Sequence, residues 1–268
     1  MRILITNDDG IHAEGLTALE EIARALTDDV WVVAPEYEQS GASRALTLAE
    51  PVRVRLVDTQ VYAVSGTPTD CVMLALTELM GDAKPDLVLS GVNRGQNLGE
   101  DISMSGTVAG AIQGMVCGVR SIALSQALER FHDEIYAHYE TAEAFAPGVI
   151  ARLLEIGWPA EAVININFPA LAPEKVTTVE VTAQGQWDVN RMHAERRTDL
   201  RGRDYFWMGF KGRAASAEEG TDLAAIAAGR ISVTPLHIDM THREACFSLK
   251  GVLGGAPPRL RPAAAREA

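Results

Sequence analysis

Residues 3–10 have the sequence ILITNDDG, a short apolar run followed by two adjacent carboxylates. Such a β-branched and aliphatic run is typical of a strand that is buried on both faces. Asp8 and Asp9 then follow the carboxyl end of this strand, where open α/β sheets place their ligands. Because neighbouring carboxylates repel each other, either a hard divalent cation offsets the repulsion or both side chains face water in a turn. This segment by itself leaves both interpretations open.

Strand and helix patterns alternate from this first strand to about residue 167. Further buried-strand patterns occur at 30–34, 86–90, 121–124 and 163–167, and helical spacing occurs at 15–26, 69–80, 107–116 and about 132–156. Residues 52–64 alternate in two runs, which indicates a hairpin or an antiparallel edge. We therefore predict an α/β fold with a mostly parallel sheet and helices on both faces.

The pattern changes beyond residue 170. Residues 176–182 and 231–236 are typical of strands, 221–228 of a short helix, and 185–215 show little periodicity. We predict a main α/β domain over 1–170 and a β-rich extension with returning elements over 171–253, which contributes to an oligomer interface. The Pro/Ala/Arg-rich residues 254–268 are predicted to form a disordered tail.

Composition narrows the class of protein. The chain has 268 residues, and 24 basic against 36 acidic residues give a net charge of −12, which argues against a polymeric nucleic-acid partner. The apolar runs are too short to span a bilayer, and a strand at the start leaves no room for a signal peptide. Cys71, Cys117 and Cys246 lack metal-type spacing, so we interpret them as buried small hydrophobic residues in a cytoplasmic protein.

Polar, glycine-rich loops follow the other predicted strands. Residues 39–43 follow the second strand and residues 90–99 the third, whereas 103–107 come directly before a helix. Asn93 and Asn97 offer amide oxygens, and hydroxyls with free N–H groups at a helix start can bind phosphate. Each motif alone is more often a plain cap or turn. The carboxyl ends of parallel strands meet at one edge, so the four loops together indicate a site there.

The motifs at 7–10, 40–43, 66–71, 90–93, 105–108 and 233–236 resemble, in order and spacing, the signatures of the survival protein E (SurE) family. This resemblance implies a Rossmann-like domain whose C-terminal β extension is exchanged between the subunits of a homodimer or homotetramer. It also implies a metal-dependent 5′-nucleotidase, a phosphomonoesterase of nucleoside monophosphates, with 3′-monophosphates and polyphosphate as further substrates. Glu14 and Met104 stand where the family often has Pro and Tyr; neither replaces a ligand, so these departures concern substrate preference.

The same resemblance assigns the site residues. Asp8, Asp9, Ser40 and Asn93 match the positions that hold one divalent metal ion per subunit. Positions expected to meet the substrate phosphate are matched by Asn97, Ser105, Gly106 and Thr107. An all-oxygen set with a charge of about −2 suits Mg²⁺ or Mn²⁺ and disfavours zinc. Our hypothesis is that a metal-activated water attacks phosphorus and that Asp8 or Asp9, which we do not rank, accepts its proton.

Three other functions are alternatives to a metal-dependent nucleotidase. A phosphatase that forms an aspartyl phosphate on Asp8 typically carries Asp-x-Asp, whereas the two carboxylates here are adjacent. A dinucleotide-binding oxidoreductase is disfavoured because no G-x-G-x-x-G follows the first strand. A non-catalytic nucleotide-binding protein is the third alternative, and only an assay of phosphate release separates it from an enzyme.

Histidine and aromatic residues have more ordinary interpretations. His12 lies close to the acidic pair, and both a role in the site and a solvated turn position stay open. The remaining histidines show no ligand spacing and are interpreted as structural: His132, His138, His193, His237 and His242. For the aromatic cluster of the extension we favour a subunit interface over base stacking; its members are Trp187, Tyr205, Phe206 and Trp207.

Overall fold

A computed structural model describes residues 1–132, 134–187, 192–210 and 217–254, and these described residues contain thirteen strands. They are β1 (Arg2–Thr6), β2 (Asp29–Pro35), β3 (Val54–Asp58), β4 (Val61–Val64), β5 (Leu87–Arg94), β6 (Arg120–Gln126), β7 (Leu128–Phe131), β8 (Glu134–Ala137), β9 (Val163–Phe168), β10 (Val179–Val181), β11 (Met192–Thr198), β12 (Asp204–Phe210) and β13 (Ile231–Leu236). The α-helices are α1 (Glu14–Arg24), α2 (Pro68–Leu74), α3 (Gly106–Val116), α4 (Tyr139–Ile156), α5 (Asp222–Ala227) and α6 (Arg243–Leu253). Two compact units are present, Met1–His237 and the segment from Ile238, which includes α6.

Nine strands form one sheet in the order β10-β13-β9-β6-β5-β1-β2-β4-β3. The pairings are parallel except for β3 with β4 and β13 with β9. The predicted mostly parallel sheet and the hairpin at 52–64 are thus confirmed. This topology places β1 near the centre, so the acidic pair at its carboxyl end lies between the loops that follow β2 and β5.

Alternate residues of β1 pack on opposite faces of the sheet. Ile3 and Ile5 belong to an apolar cluster with residues of α1 and α4, whereas Leu4 packs in a second cluster with residues of α2. On the second face α3 packs against β6 through Val108 and Ala123. Helices therefore cover both faces, as the uninterrupted apolar run in β1 requires.

Two of the predicted elements need correction. The helix expected at about 132–156 begins at Tyr139, because residues 128–131 and 134–137 form the paired strands β7 and β8 instead. In segments of four residues, helical spacing and strand alternation cannot be told apart. The stretch at 185–215 contains a second hairpin, β11–β12, although residues 188–191 and 211–215 of it lie outside the described residues.

The remaining differences are small. The predicted helix at 69–80 is α2 followed by a π-helical turn at Ala75–Leu79, and its start carries a capping box of Thr67 and Asp70. Burial of the cysteines was predicted for all three, but Cys117 and Cys246 are only half-buried and Cys71 alone is buried.

The segment beyond residue 170 contributes to the main sheet. It supplies β10 and β13, while its hairpin β11–β12 forms a separate two-stranded sheet. The proposed division at residue 170 and the interface role of 171–253 stay predictions. Of the predicted tail, residues 255–268 lie outside the described residues. Within the described residues, the helices lack the length or the apolar content needed to cross a bilayer.

His138 joins the β7–β8 hairpin to the start of α4. Its Nε2 lies 2.7 Å from Glu129 Oε2, and its Nδ1 lies 2.8 Å from Glu140 Oε1. These bonds, first to Glu129 and then to Glu140, raise the pKa of His138 above its ordinary value. The imidazolium form therefore links the β7–β8 hairpin to the first turn of α4.

Candidate functional site

The turn after β1 is held by the side chain of Asn7. Its Nδ2 donates to Gly10 O at 2.9 Å, and Gly10 N donates to Asn7 Oδ1 at 3.3 Å. Gly10 has a φ of +103°, a conformation that only glycine adopts without strain. This closed turn gives Asp8 and Asp9 fixed backbone positions at the carboxyl end of the central strand.

Asp8 is buried against the start of α3. Its Oδ1 accepts a hydrogen bond of 2.5 Å from Thr107 Oγ1, and its backbone O accepts one of 2.7 Å from Gln39 N. A Cβ placed on Gly106 would lie 2.7 Å from Asp8 Cβ and 2.8 Å from Asp8 Oδ2. Glycine at position 106 is therefore what allows the carboxylate to approach the first turn of the helix.

Asp9 faces a cavity instead. Its Oδ2 accepts a hydrogen bond of 3.0 Å from Arg94 N, at the end of β5. The cavity has a volume of about 510 Å³ and is lined by polar side chains from several loops. They include Asp9, His12, Glu14, Glu38, Ser40, Arg94 and Tyr139. Asp9 and Ser40, which follow different strands, are thus brought to one cavity.

The two neutral ligand candidates donate their hydrogen bonds to groups other than Asp8 and Asp9. Ser40 Oγ donates to Glu38 Oε1 at 2.9 Å, which leaves the lone pairs of the hydroxyl free for a cation. Asn93 Nδ2 donates to Gly95 O at 2.8 Å, so the Oδ1 atom is the free acceptor of that amide. Asn93 follows a register shift in the pairing of β5 with β6.

The carboxylate pair is electrostatically costly. The pKa of Asp8 is raised to about 6, mainly because the side chain is buried. The hydrogen bond from Thr107 lowers this pKa in part, and the negative charge of Asp9 raises it further. Burial is also the main cause that raises the pKa of Asp9. The hydrogen bond from Arg94 N opposes this rise, and the negative charge of Glu38 adds to it. A divalent cation would relieve both the desolvation and the repulsion.

The donor set fits a hard divalent cation. In the part of the chain that the structure describes, no three His, Cys, Asp or Glu residues group as a metal site. A metal at Asp8 and Asp9 would therefore need neutral oxygens as well, and the free acceptors of Ser40 and Asn93 are of that kind. Oxygen ligands with two carboxylates suit Mg²⁺ or Mn²⁺.

The residues predicted to meet phosphate have different surroundings. Ser105 caps α3, because its Oγ accepts from Val108 N at 3.0 Å, and the first N–H groups of the helix lack intrahelical partners. Gly106 and Thr107 lie against Asp8, as described above. Asn97 instead uses its Nδ2 to bond Ser125 Oγ at 2.8 Å in the interior. The phosphate roles of all four stay predictions.

Three residues of the cavity were not recognised in the sequence. Glu38 belongs to the same loop as Ser40, and Arg94 directly follows Asn93, so proximity along the chain is a signal for both. Tyr139 begins α4 and reaches the cavity from a distant part of the chain, for which no sequence signal exists. His12 lines the cavity too, and its role there stays a prediction.

Comparisons with known proteins agree with this architecture. The family model described as Survival protein SurE matches residues 3–191. The 5′-nucleotidase SurE of Caulobacter vibrioides is 69% identical over 259 residues, covering 97% of this chain and 98% of the relative. That of Parvibaculum lavamentivorans is 50% identical over 266 residues, covering 99% and 96%. The crystal structure of the SurE protein from Aquifex aeolicus has a TM-score of 0.80 at 38% identity, covering 94% of this chain and 99% of that one. The chain belongs to the SurE family.

Proposed function

We propose that this protein hydrolyses nucleoside 5′-monophosphates to a nucleoside and inorganic phosphate, with Mg²⁺ or Mn²⁺ held by Asp8, Asp9, Ser40 and Asn93. The enzyme class follows from the family, since relatives 50–69% identical over nearly the whole chain are 5′-nucleotidases. The observation that carries the mechanism is the contact of the buried Asp8 with the first turn of α3. An anion site and a cation site are thereby adjacent.

The start of α3 is the proposed phosphate site. The free N–H groups of a helix N-terminus and its positive dipole end favour phosphate oxygens. Ser105 holds the first turn in place, and Gly106 lets the Asp8 carboxylate approach that turn. Donors fixed in this way also stabilise charge that develops on the equatorial oxygens during displacement.

The two carboxylates have separate supports. The Thr107 hydroxyl fixes Asp8, and the Arg94 backbone N–H fixes Asp9. When bound, the divalent ion would polarise the phosphate and lower the pKa of a water molecule. One of the two aspartates then accepts the proton of the attacking water, and Asp9, which lines the open cavity, is the more accessible.

Substrate range, assembly and location belong to the same proposal. Nucleoside 3′-monophosphates and polyphosphate are further candidate substrates, because each of them also presents a terminal phosphate group to the proposed site. The β11–β12 hairpin exposes apolar side chains, Phe206 at 59%, Trp207 at 61% and Met208 at 78%, which favours a homodimer or homotetramer. We expect the enzyme in the cytoplasm.

The test is a panel of nucleoside 5′- and 3′-monophosphates, polyphosphate and sugar phosphates, assayed with Mg²⁺, Mn²⁺ or EDTA. We expect release of phosphate from AMP that EDTA abolishes, and a fall of at least about a hundredfold in Asp8→Asn. Asp82→Asn, which removes a carboxylate from an exposed loop, is the matched control and should retain activity. Metal-dependent turnover at the wild-type rate in Asp8→Asn would refute the proposal.

A second experiment separates the main alternatives. Rapid acid quenching of the enzyme with ³²P-labelled AMP tests for a phosphorylated aspartate. We expect no protein-bound label, because the adjacent carboxylates do not match the Asp-x-Asp pattern of covalent phosphatases. Label that disappears in Asp8→Asn would instead support a covalent aspartyl phosphate. A protein that binds AMP without releasing phosphate would be a nucleotide-binding protein only.

A further inference from the structure

A buried carboxylate outside the site binds the segment that leads into it. Asp222, the first residue of α5, is 0% exposed and accepts hydrogen bonds from three backbone N–H groups. Its Oδ1 accepts from Gly185 N and from Leu223 N, both at 2.8 Å, and its Oδ2 accepts from Gly99 N at 2.9 Å. The contact with Gly99 joins residues that are 123 positions apart in the chain.

Other residues near 185 contact the same segment. Gln184 Nε2 donates to Gly99 O at 2.9 Å, and Trp187 Nε1 donates to Leu98 O at 2.9 Å. The backbone N of Trp187 also donates to Glu100 Oε2 at 2.7 Å. Both backbone groups of Gly99 are therefore held by side chains from beyond residue 180, so this part of the chain determines where residues 98–100 lie.

The segment from Gly99 ends directly at the phosphate loop. Residues Gly99–Met104 form a 3₁₀ helix, and the next residue is Ser105, the cap of α3. At the far end of this 3₁₀ helix, Ser43 Oγ donates to Ser103 O at 2.8 Å and Ser43 N donates to Met104 O at 3.2 Å. The 3₁₀ helix thus connects Asp222 to the start of α3 and to the loop that carries Ser40.

We propose that Asp222 is a positioning residue for the phosphate site, acting through Gly99 on the first turn of α3. The inference rests on the proposed function, which places the substrate phosphate at that turn. It gives the C-terminal part of the chain a role in substrate binding, although that part supplies none of the proposed ligands.

The chemistry of the contact explains why a carboxylate is required. Three N–H donors share two acceptor oxygens, and only a carboxylate presents acceptors on both sides. An asparagine would place its single oxygen on the side with two donors, Gly185 and Leu223. Its amide group would then face Gly99 N, which would lose its partner in a buried position. Asp222→Asn is therefore a substitution that selectively releases Gly99.

The matched control affects the same helix without contacting Gly99. Thr221 Oγ1 caps α5 by accepting from Ala224 N at 3.3 Å and donates to Glu218 O at 2.6 Å. Thr221→Ala therefore removes contacts around the helix start and leaves the bond from Gly99 N to Asp222 in place. Both variants and the wild type are compared by urea unfolding, by kcat and KM for AMP with Mn²⁺, and by the inhibition constant of inorganic phosphate. For Asp222→Asn we expect KM and the phosphate inhibition constant to rise about tenfold, with a smaller change in kcat. For Thr221→Ala we expect both constants within about twofold of wild type.

The outcomes separate this inference from the function on which it rests. A wild-type enzyme that neither hydrolyses AMP nor is inhibited by phosphate would contradict the proposed function. An active wild type with Asp222→Asn unchanged in both constants would overturn only the role of Asp222. Equal rises in Thr221→Ala would also overturn it, because lost stability would then be the cause. Should Asp222→Asn not fold, Trp187→Phe, which removes the indole donor to Leu98 O together with part of the ring beside Gly99, must raise both constants or the inference is wrong.

Discussion

The hydrogen bond between Thr107 and Asp8 can be tested with a nearly isosteric substitution. Thr107 is 0% exposed and Asp8 is 4% exposed, and Thr107 Oγ1 lies 2.5 Å from Asp8 Oδ1. Thr107→Val replaces the hydroxyl by a methyl group of similar size, so the packing of α3 is kept while the carboxylate loses its donor.

The magnitude follows from the type of bond. A hydrogen bond to a charged group contributes about 1.5–3 kcal/mol. Loss of a group that orients a metal-binding carboxylate weakens metal affinity by about 10–100-fold, or roughly 1.4–2.7 kcal/mol. Both ranges overlap, so we expect the Kd of Thr107→Val for Mn²⁺ to rise by about 10–100-fold.

The pH dependence has a definite sign. Burial raises the pKa of Asp8 to about 6, and the Thr107 hydrogen bond opposes that rise. Without the hydroxyl the pKa of Asp8 rises further, so protons compete with the metal at a higher pH. The loss of Mn²⁺ affinity in Thr107→Val should therefore be larger at about pH 6 than at about pH 8, where the carboxylate is ionised in both proteins.

The assay is calorimetric titration with Mn²⁺ at three pH values, together with AMP hydrolysis as a function of Mn²⁺ concentration. Thr107→Ser is the control, since it keeps the hydroxyl and should bind Mn²⁺ within about threefold of wild type. A Thr107→Val protein that binds Mn²⁺ as tightly as wild type at the lowest pH would refute the reasoning. So would a serine variant as weak as the valine variant.

Three further predictions concern neighbouring features. In Gly106→Ala the new Cβ would lie 2.7 Å from Asp8 Cβ, which is too close. We therefore expect kcat for AMP to fall about a hundredfold and the free energy of unfolding in urea to fall by about 1–3 kcal/mol. A wild-type kcat would contradict the contact between Gly106 and Asp8. Glu38→Ala removes the acceptor of the Ser40 proton and should weaken Mn²⁺ binding about tenfold. In a Ser40→Ala background the same change removes only the charge of Glu38 beside Asp9, so a double-mutant cycle by calorimetry should show a smaller loss; an equal loss would exclude the Ser40 contact as the cause. Because the folded-state pKa of His138 is raised, its ion pairs stabilise the protein fully below about pH 6.5 and less as the pH rises through the folded-state pKa. The difference in unfolding free energy between wild type and His138→Gln should therefore shrink over that interval. A constant difference would exclude the ion pairs as its source.

The central strands could be predicted from the sequence because they are buried on both faces. An uninterrupted apolar run such as Ile3 to Ile5 would expose apolar side chains to water on any strand that is not covered on both faces. The short peripheral strands could not be predicted in the same way. The β7–β8 and β11–β12 hairpins are largely exposed, so neither alternation nor apolar content separates them from helix or loop.

The candidate site divides along the same line. The loops after β1, β2 and β5 could be expected to converge, because carboxyl ends of parallel strands share one edge. The hydrogen bonds between particular side chains could not be predicted from the sequence. The hydroxyl of Thr107 donates to Asp8, and the amide of Asn97 donates to Ser125, contacts that no local pattern indicates. The predicted phosphate roles of both residues stay predictions.

The sequence by itself determined the chemistry available to this protein: a pair of carboxylates at the end of a buried strand, with neutral oxygens and a helix start on neighbouring loops. Local residue patterns are enough for this, because strand burial and helix capping depend on residues a few positions apart. Only the tertiary structure decided that Asp222 holds Gly99, 123 positions away. A buried carboxylate must accept hydrogen bonds from the backbone N–H groups that lie next to it in the folded chain. Which N–H groups these are depends on how the whole sheet is assembled, and a short segment of sequence does not determine it.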